Sequence, residues 1–278
     1  MRREEYEAID AVNWSTLKHL GKSPQHYLHH LTNPGEDTDA KQRGRVLHYA
    51  VFEPERFQKD VVVYPERRQG TKWDAFEKKH ADKEIITSRM DDQVRAIASA
   101  ARNHPMAAKY LAGGKSEHTV TWTYRSPPVQ HLEGHEFACK GRLDFISELG
   151  AIVDLKSTKD ASPTGWAREV MRYEHHVQAA FYADGYEAMT GERLPFLFIA
   201  VEATEPHVVQ VYRVPDDVMD LGRERYRELL AHLNVCRKES RWPGYAETEM
   251  ELVLPRWATP DPEGELDDEL IIGADEAA

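Results

Sequence analysis

Cysteine is scarce in this chain, and long apolar runs are missing from it. Cys139 and Cys236 are its two cysteines, they lie far apart, and neither belongs to a CxxC or Cys/His cluster. A zinc or iron–sulfur centre built on thiolates is thereby nearly excluded. No stretch approaches the roughly 18 consecutive apolar residues of a membrane span. The opening MRREEYEAID carries charge where an export signal needs an apolar segment, so the expectation is a cytoplasmic protein with no membrane partner. Bases are outnumbered, 36 Lys+Arg by 48 Asp+Glu, for a formal net charge of −12. The imbalance is local: eight acids between Asp261 and Glu276 follow Trp257 without a base among them, so residues 1–256 hold 36 bases and 40 acids, a charge of −4. Overall acidity therefore excludes no class of partner, because local grooves rather than net charge decide binding.

What is present is a soluble globular composition, 41% hydrophobic over 278 residues with a mean hydropathy of −0.66. That is enough for one or two domains whose core needs neither disulfide nor structural metal. The first third reads as helices. Ser15 is placed to cap a short turn through Leu20. Ser23-Pro24 opens a helix to about Leu31, which Asn33-Pro34-Gly35 breaks. Helical spacing covers Ala40 to Phe52, ended by Glu53-Pro54, then Thr71 to Asp82, and then Arg89 to Asn103 behind a Ser88 cap; Val61 to Tyr64 is a short strand. From Glu117 the period becomes two. Strands over 117–124, 135–146 and 151–156, with an interruption at Ser126-Pro127-Pro128 and a turn at Gly150, predict a three-stranded antiparallel meander. Ser162-Pro163 opens another helical region and His176 to Met189 a helix ended by Gly191. Strands at Phe196–Val201 and Val208–Val214 and a helix from Asp216 to Arg237 follow. The expectation is an α/β fold in three parts: a helical N-terminal arm over 1–112 packed on the core, the core itself over 113–240, and an extension over 241–278 with an acidic tail expected to be disordered.

The chemistry concentrates in Gly141-Arg142-Leu143-Asp144 and Asp154-Leu155-Lys156. Alternation along a strand puts Asp154 and Lys156 on one face, and an antiparallel return through Gly150 brings Asp144 near Asp154. Two carboxylates and an ammonium then converge, a set that suits Mg²⁺, which prefers hard oxygen ligands and keeps several waters. From spacing alone an ordinary cross-strand ion pair explains the same residues.

The wider set is more specific. Gly44-Arg45-Val46-Leu47-His48, Gly141-Arg142-Leu143-Asp144, Asp154-Leu155-Lys156-Ser157 and Gln178-Ala179-Ala180-Phe181-Tyr182, in this order, resemble the PD-(D/E)xK nuclease superfamily, most closely the exonuclease VIII branch of phage-type recombination exonucleases. The likeness runs from about Asn13 to Cys236 and includes Trp14-Ser15-Thr16-Leu17-Lys18 and Ser23-Pro24-Gln25-His26-Tyr27. Leu143 stands where the superfamily name has proline, and Asp154 directly precedes Leu155-Lys156, leaving one acidic position unfilled. The resemblance implies a restriction-endonuclease-like core, a central mixed sheet flanked by helices. It implies metal ligation by His48, Asp144, Asp154 and the Leu155 carbonyl. Lys156 would handle the attacking water and Gln178 would hold Lys156 or the phosphate. Tyr182 would lie against the DNA backbone, and Glu117 would bind a second metal or position water. Arg45 and Arg142 are candidate phosphate contacts.

The histidines at 26, 29 and 30, at 131 and 135, and at 175 and 176 lack chelate spacing and read as surface or packing residues. Arg67 to Trp73, followed by Lys78, Lys79 and Lys83, is the most basic segment, and Lys72 and Trp73 would line a DNA channel or else a solvated helix face. The resulting expectation is a Mg²⁺-dependent exonuclease, with Mn²⁺ able to substitute, cutting double-stranded DNA from its ends. By resemblance it runs 5′ to 3′ in recombination or phage DNA processing, as a homo-oligomer that hands its product to a single-strand annealing protein. The alternatives are an endonuclease or nickase of the same fold and a non-catalytic DNA-binding or scaffold subunit.

Overall fold

The computed structural model describes residues 3–33, 35, 37–126 and 134–254. Pro34, the Pro127-Pro128 interruption, His131 and the acidic run after Trp257 lie outside the described residues. The N-terminal part holds α1 (Arg3–Glu7), α2 (Trp14–Leu17) running into a 3₁₀ turn (Lys18–Gly21), α3 (Pro24–Thr32), α4 (Asp39–Phe52), α5 (Pro54–Asp60), β1 (Val61–Tyr64), α6 (Gly70–Lys79), β2 (Glu84–Thr87), α7 (Ser88–Asn103) and α8 (Pro105–Leu111). Then come β3 (Gly114–Arg125), β4 (Glu136–Ser147), β5 (Ala151–Thr158), α9 (Pro163–Tyr173), α10 (His175–Thr190), β6 (Phe196–Glu202), β7 (Val209–Arg213) and α11 (Asp216–Glu239). Among the described residues no helix is long and apolar enough to cross a membrane.

The caps explain several boundaries. Ser23, Thr38 and Ser162 each accept a backbone N–H three residues on, satisfying a donor that the first turn leaves open. Two caps differ from expectation. Asn13 rather than Ser15 caps α2, because its side chain accepts the Thr16 N–H at 2.9 Å while the Ser15 hydroxyl donates back to that same oxygen. Thr87 rather than Ser88 caps α7 by accepting the Met90 N–H. Pro54 ends α4 and also opens α5, sitting in its first turn where proline has no donor to lose.

The main sheet has the order β3-β4-β5-β6-β7. β3, β4 and β5 form the expected antiparallel meander, turned at Gly150 with φ +71; β5 pairs parallel with β6, and β6 antiparallel with β7. A separate two-stranded sheet joins β1 and β2 in parallel. Helices cover both faces of the main sheet, so the core is double. On one side Phe181, Tyr226 and Leu230 of α10 and α11, with Leu17 and Leu20, pack on Leu143, Ile152, Phe196 and Phe198. On the other, Val46, Leu47 and Val51 of α4 and Val94 and Ile97 of α7 pack on Phe145, Val153, Leu155 and Ile199. Each such fully buried side chain stabilises the fold by about 1.5–3 kcal/mol relative to exposure. α10 and α11 approach closely at Gly222, where a Cβ would stand 2.4 Å from the His176 carbonyl oxygen.

Candidate active site

β4 and β5 pair over three residues each, and the last rung is Phe145 with Val153. Asp144 and Asp154 come next, facing each other, and here the strands part: β5 continues along β6, β4 along β3. Instead of a backbone rung, the Asp144 carboxylate accepts the Leu155 N–H at 3.2 Å. The other edge of β4 is irregular at the same point. Ser116 pairs with Phe145 and His118 with Leu143, which sets Glu117 opposite Asp144, yet that pair is missing from the ladder and Glu117 adopts φ +51. Residues two apart on a regular strand share a face, but Leu143 belongs to one core and Phe145 to the other. The pleat thus inverts at Asp144, with a left-handed non-glycine residue beside it that costs on the order of 1–3 kcal/mol.

Each helical layer sends one side chain to this fork. From α4, His48 Nε2 lies 3.5 Å from Asp144 Oδ2. From α10, Gln178 Nε2 donates to Asp154 Oδ1 at 3.2 Å. Lys156 Nζ closes the group 2.5 Å from Asp154 Oδ2. Burial pushes the Asp144 carboxyl up; His48 opposes that and the charge of Asp154 adds to it. Burial alone would lower the Lys156 ammonium, but Asp154 and Asp144 outweigh it and leave it raised, hence charged. Leu155 has its side chain in the α4 core, so only its main chain faces the fork.

The remaining predicted residues fall around this centre. Glu117 forms an ion pair with Arg142, and both line a cavity of about 410 Å³ that also receives His48, Arg45, Arg56 and Tyr6. Arg45 is clamped by Asp37 at 2.6 Å and Glu84 at 2.8 Å, so a phosphate reaching it would compete with two carboxylates. The Tyr182 ring is half-buried against Gly141, where a Cβ would stand 3.0 Å from Cδ1; this close approach explains the glycine of the GRxD motif. Burial, then the charges near it, push the Tyr182 phenol well up. Lys72 and Trp73 sit on α6 beside the two-stranded sheet, Lys72 exposed and 3.7 Å from Glu66, Trp73 edge-on to Tyr64 at 5.1 Å.

Sequence patterning gave no sign of the N-terminal wall of the site. Beyond the fork the vacated edge of β4 is taken by Val12, which bridges to Cys139 through two hydrogen bonds of 2.8 Å, Val12 N–H to the Ala138 carbonyl and Lys140 N–H to the Val12 carbonyl. Lys140 is 4% exposed. Its ammonium donates to the carbonyls of Tyr6, Glu7 and Ile9 at 2.9, 3.3 and 2.8 Å, collecting the loose end of α1. The Tyr6 ring then covers Lys140 and Arg142.

Among the described residues no three His, Cys, Asp or Glu side chains converge into a ready metal cage. The fork offers less than a cage and a different chemistry: two facing carboxylates, an imidazole, and in Asp154 Oδ2 a buried oxygen that no aligned hydrogen bond satisfies. Few protein oxygens with charge to spare fit a hard divalent ion that keeps much of its water.

A mixed sheet between helical layers, forked at facing aspartates with a lysine on the next same-face position, defines the PD-(D/E)xK nuclease fold. Residues 13–252 match the model of a PDDEXK-like domain of unknown function (DUF3799), and the chain belongs to that family. The crystal structure described as "Putative exonuclease" from Eubacterium rectale superposes with a TM-score of 0.62 at 18% identity, over 92% of this chain and 95% of that one. Identity that low shows the fold alone. The crystal structure of SSO0001 covers 77% of this chain and 84% of its own at 13% identity and a TM-score of 0.29, too distant to carry weight. No curated protein matches the chain.

Proposed function

We propose that this protein is a Mg²⁺-dependent deoxyribonuclease that hydrolyses phosphodiester bonds of duplex DNA from its ends, 5′ to 3′. The single observation that carries the hydrolytic reading is the meeting of Asp144, Asp154 and Lys156 at the strand fork; family membership supports it, and the end preference and polarity come from the motif resemblance alone. Asp144 and Asp154 would hold the metal, with His48 and the Leu155 carbonyl completing the protein ligands. Bound there, the ion would polarise the phosphate and acidify a water. Lys156, kept charged by its two acids, orients that water and offsets charge gathering on the phosphate. Gln178 fixes the Asp154 carboxylate by its 3.2 Å hydrogen bond. Glu117, on β3 opposite Asp144, is assigned to a second metal or to water. On this reading residues 1–112 carry His48 to a core of 113–240, and 241–278 contribute no ligand.

The test is one assay with linear and closed circular duplexes, with and without divalent metal. Metal-dependent loss of the linear form alone supports an exonuclease. Cutting of the circle assigns an endonuclease or nickase. Binding without cleavage of either assigns a non-catalytic subunit.

A further inference from the structure

The helix α9 has no part in the proposed hydrolysis, on which this inference rests. It starts at Pro163, soon after β5 ends at Thr158, and is held by one side. Trp166 is its buried side chain, edge-on to Phe198 at 5.5 Å and stacked on Tyr212 at 6.1 Å. The Thr158 hydroxyl donates to the Glu169 carboxylate at 2.5 Å, which turns the one acid of α9 back toward β5. The charges it leaves exposed, Arg168 and Arg172, are therefore both positive.

The last turn of α9 keeps large apolar side chains in water. Met171 is 60% exposed and Tyr173 53%. Arg172 stands between them in sequence, its guanidinium over the Tyr173 ring at 5.4 Å from the centroid. Apolar groups gathered in this way and rimmed by charge mark an interaction surface.

Tyr173 is also the outer end of a row of rings. Its centroid lies 5.7 Å from that of His175, which stacks on Trp166 at 5.5 Å and stands 6.1 Å from Phe198. Phe198 is the β6 partner of Asp154. The row leads from solvent to the strand beside the candidate ligand, on the side of the sheet from which Gln178 of α10 reaches Asp154.

A strand cut from a duplex end has to leave its partner before it enters the fork, and each base so freed presents a flat apolar face to water. An exposed ring beside a thioether and a guanidinium fits that face through stacking and cation–π attraction, while Arg168 and Arg172 are opposite in charge to the backbone. We infer that Tyr173, with Met171 and Arg172, stacks a base freed at the end of the strand being cut and so holds that strand open beside the fork.

Initial cleavage at the end of a linear duplex tests this. Tyr173→Ala should lower kcat/KM about tenfold, the worth of one base–aromatic stack. Tyr173→Phe should restore it, since the ring rather than the hydroxyl is used. In a series of duplexes, each with one abasic site in the cut strand, one position should slow the wild type about as much as Tyr173→Ala does and leave Tyr173→Ala no slower than it already is. If the wild type cuts these duplexes while Tyr173→Ala keeps its full rate, or every abasic site slows both proteins alike, the assignment is wrong; a surface that serves another protein instead of DNA gives that result. A wild type that cuts no duplex with any divalent metal overturns the nuclease reading and this inference with it.

Discussion

Asp144 and Asp154 face each other across the first rung that β4 and β5 do not form, and the Asp144 carboxylate takes the Leu155 N–H that the rung would have used. One acid is thereby fixed by main chain, and the other by Gln178 of α10 and by Lys156 two residues further along β5. Movement of a helical layer against the sheet would withdraw His48 or Gln178 and leave the two acids facing each other.

Replacing the acid without changing its shape tests the centre most directly. Asp154→Asn retains an oxygen for Gln178 but loses the charge, and cleavage should fall by about a thousandfold or more while DNA binding stays within about threefold. Lys156→Ala should abolish cleavage as well, with an added loss of melting temperature because Asp154 is left buried without its cation. A near wild-type rate in either variant would remove the site assignment.

Metal substitution separates binding from turnover. Mg²⁺ or Mn²⁺ should support cleavage, and Ca²⁺ should permit DNA binding with little turnover, because it accepts oxygen ligands with looser geometry and a higher coordination number. His48→Ala should weaken metal binding by about tenfold or more in a calorimetric titration. An unchanged isotherm would strike His48 from the ligands.

Gly222→Ala probes the contact of α10 with α11. The new methyl group meets the His176 carbonyl at 2.4 Å and the Ala180 methyl at 2.9 Å. Overpacking of this kind costs about 1–3 kcal/mol, and thermal unfolding should shift down by about 2–4 °C per kcal/mol. An unshifted melt would mean that the helices separate freely at this point.

Lys140→Met should release the N-terminal wall. Three carbonyls lose charge-assisted bonds, each kind of bond being worth about 1.5–3 kcal/mol. Hydrogen exchange should accelerate over residues 5–12, with the strands β5 and β6 unaffected. Equal protection in both proteins would show that Val12 alone holds the segment.

The thiols should be silent in the native protein. Burial pushes Cys139 up to about 12 and raises Cys236 as well, and both side chains are buried. A thiol reagent at neutral pH should label neither until denaturant is added. Rapid labelling of Cys139 would mean that the Val12 bridge opens often.

The meander and the juxtaposition of Asp144 with Asp154 were legible because alternation and a glycine turn fix an antiparallel register locally. The clamp on Arg45 was not. It depends on Glu84, and β2 is a four-residue strand paired in parallel with β1 across α6, a contact that no local pattern encodes. The α8 helix escaped for a related reason, being seven residues long with a proline in its first turn. The inversion at Asp144 was equally hidden: Glu117 to Tyr124 alternates smoothly in sequence, and the break beside Glu117 accompanies two cores, one claiming Leu143 and the other Phe145. Asn13 and Ser15 are equally good caps by residue type, and only the structure shows that the Thr16 N–H goes to Asn13.

The bridge from Val12 to Cys139 also bears on the order in which the molecule assembles. The meander needs only neighbouring residues, so it closes at small entropic cost, whereas Val12 has to find a strand edge made much later in the chain. During synthesis the segment that walls the fork is made before β4 and can dock only once β4 has emerged. Pulse-labelling of a refolding chain would therefore protect β4 on its β3 side before its Val12 side, and nascent chains halted before β4 would present the residues around Val12 to proteases.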